Sequence, residues 1–263
     1  MNTYFEHTLS YNGITFQLTN KSIPDEREMH TYHEILYFIE GDATLLTENS
    51  KYELKHQMLL MIPKRSYHFI QPNQKSFLRL KISIPEHSVQ SFPVKHIFET
   101  LCVVEHLSSE LHVPLGKLLQ AVEKHDSCQS AFYAYAAFLM LLAEADAMTH
   151  GKEYKPVKQV GIVPEIIQYI SENISGDLSV SAIAAKLNIS PSAAIHRFKK
   201  EMGISLHSYI VQKRLFHARE LIENGQKISK VYSDCGYMEY SSFYRAYVKF
   251  FGHSPSCEKD SGK

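Results

Sequence analysis

Net charge is the first thing this chain lacks: 28 Lys and Arg stand against 28 Asp and Glu, leaving a formal charge of zero. Without a basic surplus a protein does not coat nucleic acid indiscriminately. Cysteine is scarce, and Cys102, Cys128, Cys235 and Cys257 lie far apart with no Cys-x-x-Cys spacing. That excludes a disulfide framework or a zinc ribbon and leaves reduced core or surface thiols. No apolar run reaches the roughly 18 residues expected of a membrane span. The start, Met1-Asn-Thr-Tyr-Phe-Glu6, has neither the basic nor the apolar region of a signal peptide. The expectation is a cytoplasmic protein with no membrane partner. What is present suits two domains of ordinary globular composition: 263 residues, 44% of them hydrophobic, with a mean hydropathy of −0.23. Divided near residue 160, the charge separates into +3 on the C-terminal side and −3 upstream, a sign asymmetry that suits one part on phosphate.

One helical pattern with a turn inside it occurs twice between Leu178 and Ser254. In the first copy the period predicts a helix over about Val180 to Leu187, a turn at Asn188 and Ile189, and a second helix that Ser190 caps and Pro191 opens at its first position. In the second copy, Ile228 to Gly252, Gly236 can take the positive φ that the turn between such helices needs. Between the copies His207 to Glu223 has no capping residue of its own and is amphipathic, as a rigid connecting helix would be.

Helical geometry sorts each second helix into two faces. Ala194 and Phe198 point inward, while Ser192, Ile195, His196 and Lys199 share the opposite side. Phe243, Tyr247 and Phe250 point inward, while Ser241, Tyr244 and Arg245 point out. Hydroxyls, an imidazole and a guanidinium are what base edges and phosphates call for, with lysines meeting phosphate oxygens. A merely solvated helix face has the same composition. Its repetition behind a short helix and a tight turn favours DNA.

The last hundred or so residues resemble the DNA-binding domain of the AraC/XylS family of bacterial transcription regulators. The likeness rests on Gly236-Tyr237, Ser241-Ser-Phe-Tyr-Arg245, Tyr247, Lys249 and Phe251-Gly-His-Ser-Pro255. The resemblance implies that Arg245 reads a base in one major groove with Ser241 and Tyr244 beside it and Tyr240 and Lys249 flanking. It implies further that Ser192, Ile195 and His196, with Lys199, face the next groove. Three positions depart from the family pattern: Ala194 where a leucine is usual, His196 where an arginine is usual, and Cys257-Glu258 where an aromatic-basic pair is common.

The N-terminal part reads as strands. From Gly13 to Ile84 short runs rich in Phe, Tyr, Ile, Leu and Thr are broken by Ile23-Pro-Asp-Glu-Arg27, Glu40-Gly-Asp42, Glu48-Asn-Ser-Lys51, Pro63-Lys-Arg-Ser66 and Gln71-Pro-Asn-Gln74. Turns at that spacing predict a β-sandwich or barrel. Within it His30-Thr-Tyr-His-Glu34, Gly41 and Pro63-Lys-Arg-Ser-Tyr-His68 resemble the two conserved blocks of cupins, a domain that AraC-like regulators often carry as their sensor. Three readings of this cluster stand: a 3-His-1-carboxylate metal site of His30, His33, His68 and Glu34; a metal-free pocket for a polar effector such as a sugar, formed by His30, His33, Glu34, Tyr37, His68 and Arg79; or histidines at strand ends that bind nothing.

Leu115 to Val122 and Gln129 to Met148 are apolar at helical spacing on more than one face, so they suit packing on the barrel and pairing with a second subunit. Thr149 to Gly161 is polar, lacks periodicity and reads as a linker. The resulting expectation is an α+β multidomain protein: a cupin-like β-barrel over 1–95, a helical packing and dimerisation segment over 96–150, a linker over 151–161, and an all-α double helix-turn-helix domain over 162–258. Its function would be sequence-specific transcription regulation as a homodimer on double-stranded DNA. A small-molecule effector, and RNA polymerase at activated promoters, would be its other partners. It needs no cofactor and no catalysis. The alternatives are a regulator whose barrel is purely structural and a metal-dependent cupin enzyme.

Overall fold

Strand β6 (Met58–Ile62), and strand β3 (His33–Glu40) between Ile35 and Ile39, are apolar because both of their faces are covered. The computed structural model describes residues 5–20, 29–48, 51–72, 77–99, 101–105, 107–124, 128–149 and 161–260. The expected turns at 23–27, 49–50 and 73–74, and residues 151–160 of the expected linker, lie outside the described residues. The chain divides into two compact units, Met1–Lys158 and Gln159–Lys263.

In the first unit β1 (Glu6–Tyr11), β2 (Ile14–Thr19), β8 (Leu78–Ile84), β3, β6 and β9 (Cys102–Val104) form one antiparallel sheet in the order β1-β2-β8-β3-β6-β9. A smaller sheet runs β5 (Lys51–Leu54), β4 (Ala43–Thr47), β7 (His68–Pro72). Alternation along β3 then decides what lies where. Leu36 and Phe38 join Leu45, Tyr52, Leu54 and Ile70 of the smaller sheet in one core, whereas Ile35 and Tyr37 turn to a second core on the other face.

That second core is roofed by α2 (Ser109–Lys124) and α3 (Cys128–Thr149), which pack on each other and on β1 and β2. A short helix α1 (Glu86–Val89), a 3-10 turn over Lys95–Phe98 and β9 precede them, so the segment expected as helical from residue 96 opens with a 3-10 turn and a strand. Phe138 of α3 meets Phe16 and Phe92 edge-on, each at 5.8 Å between ring centroids. The Cys128–Ala147 stretch of α3, at a mean hydropathy of 1.2, is long and apolar enough by length and composition to cross a bilayer. It is not an uninterrupted apolar run, because Gln129, Ser130, Glu144 and Asp146 fall within it, and the core helix of a folded unit has the same composition. Here its Ala134, Phe138, Leu141 and Leu142 are buried in the unit's own core.

The second unit is helical: α4 (Ile162–Glu172), α5 (Val180–Lys186), α6 (Pro191–Met202), α7 (Leu206–Glu223), α8 (Ile228–Asp234) and α9 (Tyr240–Phe251), with a closing 3-10 turn over Pro255–Asp260. The connecting helix α7 does have a cap, because the Ser205 hydroxyl accepts a hydrogen bond from the Ser208 amide at 3.0 Å. Its amphipathicity also differs from the expected single stripe. Leu206, Tyr209 and Ile210 are buried on one side of its first half, and Leu215, Ala218 and Ile222 on nearly the opposite side of its second half. At 100° per residue the two buried sets are roughly 160° apart. One helix thus serves two cores: Tyr209 packs against Phe198 of α6, while Leu215, Ala218 and Ile222 join Phe243 and Tyr247 of α9.

The Glu258 that departs from the family pattern is buried and closes the second core. Its carboxylate accepts a hydrogen bond from the Tyr247 hydroxyl at 2.7 Å and pairs with Arg219 at 3.0 Å, with His253 at 3.5 Å. Burial, then the adjacent Glu258 carboxylate, pushes the Tyr247 phenol well above its usual range, so it remains a donor. Replacing Glu258 with Ala leaves the buried Tyr247 hydroxyl unsatisfied and removes one of the two carboxylates that Arg219 pairs with, and is expected to cost about 1–3 kcal/mol. Urea unfolding followed by helical circular dichroism measures this, and an unchanged midpoint would show the network to be dispensable.

Candidate nucleic-acid interface and sensor cluster

Both helix-turn-helix units are built by the same local chemistry. After α5 the Ile189 amide donates to Ala184 O at 3.0 Å and the Asn188 amide to Ala185 O at 3.3 Å. After α8 the Tyr237 amide donates to Tyr232 O and the Gly236 amide to Ser233 O, both at 2.9 Å. These are paired Schellman closures, and each needs a left-handed residue at the same step. Asn188 supplies it at φ 54° and Gly236 at φ 75°. Beyond the first turn Ser190 accepts from the Ala193 amide at 3.1 Å and Pro191 opens α6. α9 opens differently. Glu239 occupies the cap position without a capping hydrogen bond, and its carboxylate accepts from the Ser241 hydroxyl at 3.3 Å.

On α6, Ala194, Phe198 and Met202 are buried, while Ser192, Ile195, His196 and Lys199 are exposed, as is Arg197. On α9, Phe243 and Tyr247 are buried and Phe250 half-buried, while Tyr240, Ser241, Tyr244, Arg245 and Lys249 are exposed. All nine residues expected to face DNA therefore lie on open surface of the two second helices. Sequence reasoning missed Glu239 and Met238. Glu239 holds Ser241 and carries an acceptor of the kind that takes a cytosine amino group. Met238, 95% exposed, stands just ahead of α9. Their place between Gly236 and the first inward aromatic of α9 was the available signal.

In the first unit the structure splits the expected sensor set. His30, Glu34 and His68 come together, with one ligating atom of each within 4.8 Å of the others. His33 does not join them. Its ring accepts from the Lys64 amide at Nδ1 (3.2 Å) and donates from Nε2 to Glu86 at 2.7 Å, and Lys64 Nζ pairs with the same Glu86 at 3.0 Å. Tyr37, odd-numbered like His33 on β3, is buried in the core beneath the helices, facing away from Glu34. Arg79 and Lys81 alternate along β8 on one face, the side opposite Leu80 and Ile82. The four-ligand metal set thus loses His33, and the pocket set loses His33 and Tyr37, because strand alternation sends them to the other face, and Arg79, which stands opposite Phe38 and over the Phe77 ring at 5.5 Å.

Lys81, which sequence reasoning passed over, completes the cluster. Its ammonium lies 3.4 Å from Glu34 Oε2 and 5.6 Å from the centre of the Tyr32 ring. Tyr32 stacks on His30 at 4.0 Å. His30 Nδ1 lies 2.6 Å from Tyr32 O and His68 Nδ1 3.1 Å from Ser66 O. A carbonyl only accepts, so both Nδ1 atoms carry hydrogen and both Nε2 atoms face Glu34, at 3.2 Å and 4.0 Å. Burial alone would raise the Glu34 carboxyl. The His30 hydrogen bond and the Lys81 charge outweigh it and hold the carboxyl well below its usual range. The donor types are those of a transition-metal site, yet the carboxylate charge is already met by a cation of the chain itself.

Burial lowers His68 from its ordinary 6.5 to about 4, against the opposing pull of Glu34, and lowers His33 as well. Between those two pH values the unfolded chain holds more protons than the folded one, so stability rises with pH. Glu34 acts in the same sense, because its contribution is lost as pH falls through the depressed folded value. The first unit is expected to lose about 2 kcal/mol from His68 alone between pH 7 and pH 5. Urea titrations of the wild type and of His68→Leu at both pH values measure it, and equal pH slopes in the two proteins would contradict the assignment.

Comparison with known proteins agrees with this geometry. Residues 183–259 match a helix-turn-helix domain family. The chain is 26% identical over 231 residues to the probable transcriptional regulator LumQ of Photobacterium leiognathi, covering 86% of this chain and 89% of that one. It is 19% identical over 263 residues to the melibiose operon regulatory protein of Escherichia coli K12, covering 93% and 87%. Among solved structures it is similar to ToxT from Vibrio cholerae, at 13% identity and a TM-score of 0.39, over 97% of this chain and 95% of that one. With two helix-turn-helix units in its second compact unit and curated relatives named as transcriptional regulators, the chain is a DNA-binding transcription regulator of AraC type.

Proposed function

We propose that the two second helices, α6 and α9, read successive major grooves of an operator, and that the first unit senses a small molecule and dimerises. The observation that carries the DNA reading is the doubled geometry: two Schellman-closed turns, each presenting a helix with aromatics or alanine beneath and hydroxyls, imidazole, guanidinium and lysine above. Arg245 is assigned a base edge with Ser241, Tyr240 and Tyr244 around it. Ser192, Ile195 and His196 are assigned the adjoining groove, and Lys199 and Lys249 phosphates. The protein acts in the cytoplasm, and RNA polymerase is a further partner wherever it activates.

For the effector, relatives named for the melibiose operon and for lactose operon activation support a sugar. The polar group of His30, Glu34, His68 and Lys81 offers donors and acceptors to hydroxyls. Effector control works only through a difference in affinity between two states of the sensor. Dimerisation is assigned to α3, which leaves Phe132, Tyr133, Leu139 and Met140 exposed on the side away from its buried alanines and Phe138.

Binding to a DNA fragment selected by the protein from a random library tests the DNA and effector readings together. Arg245→Ala is expected to cost about 1–3 kcal/mol and to relax preference at one base position, while Lys199→Ala weakens all sequences and lowers the salt slope by about one. Equal loss on every sequence from Arg245→Ala would reassign it to phosphate. Adding mono- and disaccharides should shift the same curve, and no shift with any of them would remove the sugar assignment. Sedimentation tests α3: Leu139→Glu should convert a dimer to a 30.2 kDa monomer, and an unchanged mass would place the dimer contact elsewhere.

A further inference from the structure

We propose that Arg214 is the positioning residue that locks the two DNA-reading helices into one rigid reader, so that it sets which spacing of two half-sites the protein accepts. The inference rests on the DNA-binding reading above. Arg214 lies at the middle of α7, and its guanidinium reaches back to the first helix-turn-helix unit. Nε donates to Ile174 O at 3.1 Å and Nη2 to Gly176 O at 2.6 Å, the carbonyls of the segment that leaves α4 and leads to α5. The same guanidinium lies directly over the turn of the second unit. A Cβ built on Gly236 would meet Nη2 at 2.5 Å and Cζ at 2.7 Å. Ser175, between the two accepting carbonyls, donates its hydroxyl to Asp234 O at the end of α8.

Two loops, 174–176 and 234–236, are therefore clamped around one charged, planar group. Each loop is tied to a reading helix: α4 packs on α6, and α8 packs on α9. A guanidinium suits this place because it donates in a fixed plane to more than one carbonyl, and charge-assisted bonds of that kind are about twice as strong as neutral ones. Gly236 answers a second demand besides its positive φ, since any side chain there would displace the guanidinium. Without the clamp the α6 and α9 ends would still be joined through α7, but their mutual orientation would rest on packing alone.

The energetic consequence is specific to DNA with two half-sites. Two readers held at fixed separation act at a high effective concentration, and loosening them lowers the affinity for the pair without changing either contact. Inserting one base pair between half-sites moves one of them by about 3.4 Å and turns it by roughly 35°, which a rigid reader cannot follow.

The test uses full-length protein and the DNA selected above, prepared with both half-sites, with one only, and with one base pair inserted between them. Arg214→Gln is expected to weaken binding to the two-site fragment by about tenfold or more, to leave single-site binding little changed, and to shrink the penalty of the insertion. Arg214→Lys, which keeps the charge and loses the fork, should fall between. Should Arg214→Gln unfold in circular dichroism, Ser175→Ala, which removes only the exposed hydroxyl link, is measured in the same three-fragment assay and should move in the same direction. Equal loss on single-site and two-site DNA, or an unaltered insertion penalty in the folded variants, would overturn the proposal. Wild-type protein that showed no preference for the two-site fragment would instead overturn the DNA reading on which it stands.

Discussion

Helix α7 has to bury opposite sides in succession, and the DNA-binding unit is organised around that constraint. Its first half lies against Phe198 and the core of α6, its second against Phe243 and Tyr247 of α9. Each short helix pair has too little apolar surface to hold itself, so both borrow from one shared helix. The orientation of the two exposed faces follows from where Tyr209 and Leu215 sit around that helix. Changes in its length or twist would be felt at both ends, and the contacts of Arg214 at its middle and of Glu258 on its second half brace it.

The first unit solves a different problem. A carboxylate, Glu34, sits on the covered face of β3 among apolar neighbours, and a charge there is tolerated only when it is paired. Lys81 and the His30 ring provide the pairing, His68 stands at the edge of the group, and backbone carbonyls of Tyr32 and Ser66 orient the two rings. Such a group costs stability that an apolar core would not. The helical roof in turn leaves Phe132, Tyr133, Leu139 and Met140 of α3 exposed.

Local chemistry was legible in the sequence wherever its partners are close along the chain. Ser190 with Pro191, the left-handed Gly236, and the inward aromatics of α9 all follow from neighbours within a turn or two. So did the two-part architecture, since strand and helix periods differ. Contacts between distant residues were not legible. His33 pairs with Glu86 more than fifty positions later, and Glu258 reads as an odd substitution until Tyr247 and Arg219 close on it. The facing of Tyr37 was available in principle, because it is out of phase with Glu34 on one strand, yet three nearby histidines drew every residue between them into one set. On α7 a change of buried side averages to a weaker stripe, which no single helical period describes.

Methylation protection of guanine N7 on the selected DNA bears most directly on the claim that one domain reads two grooves from a rigid frame, because N7 lies in the major groove. Two protected segments per bound domain, about 10 base pairs apart on one side of the duplex and retained in random-sequence competitor, are the predicted result. A single protected segment, or diffuse protection that disappears with moderate salt, would contradict it.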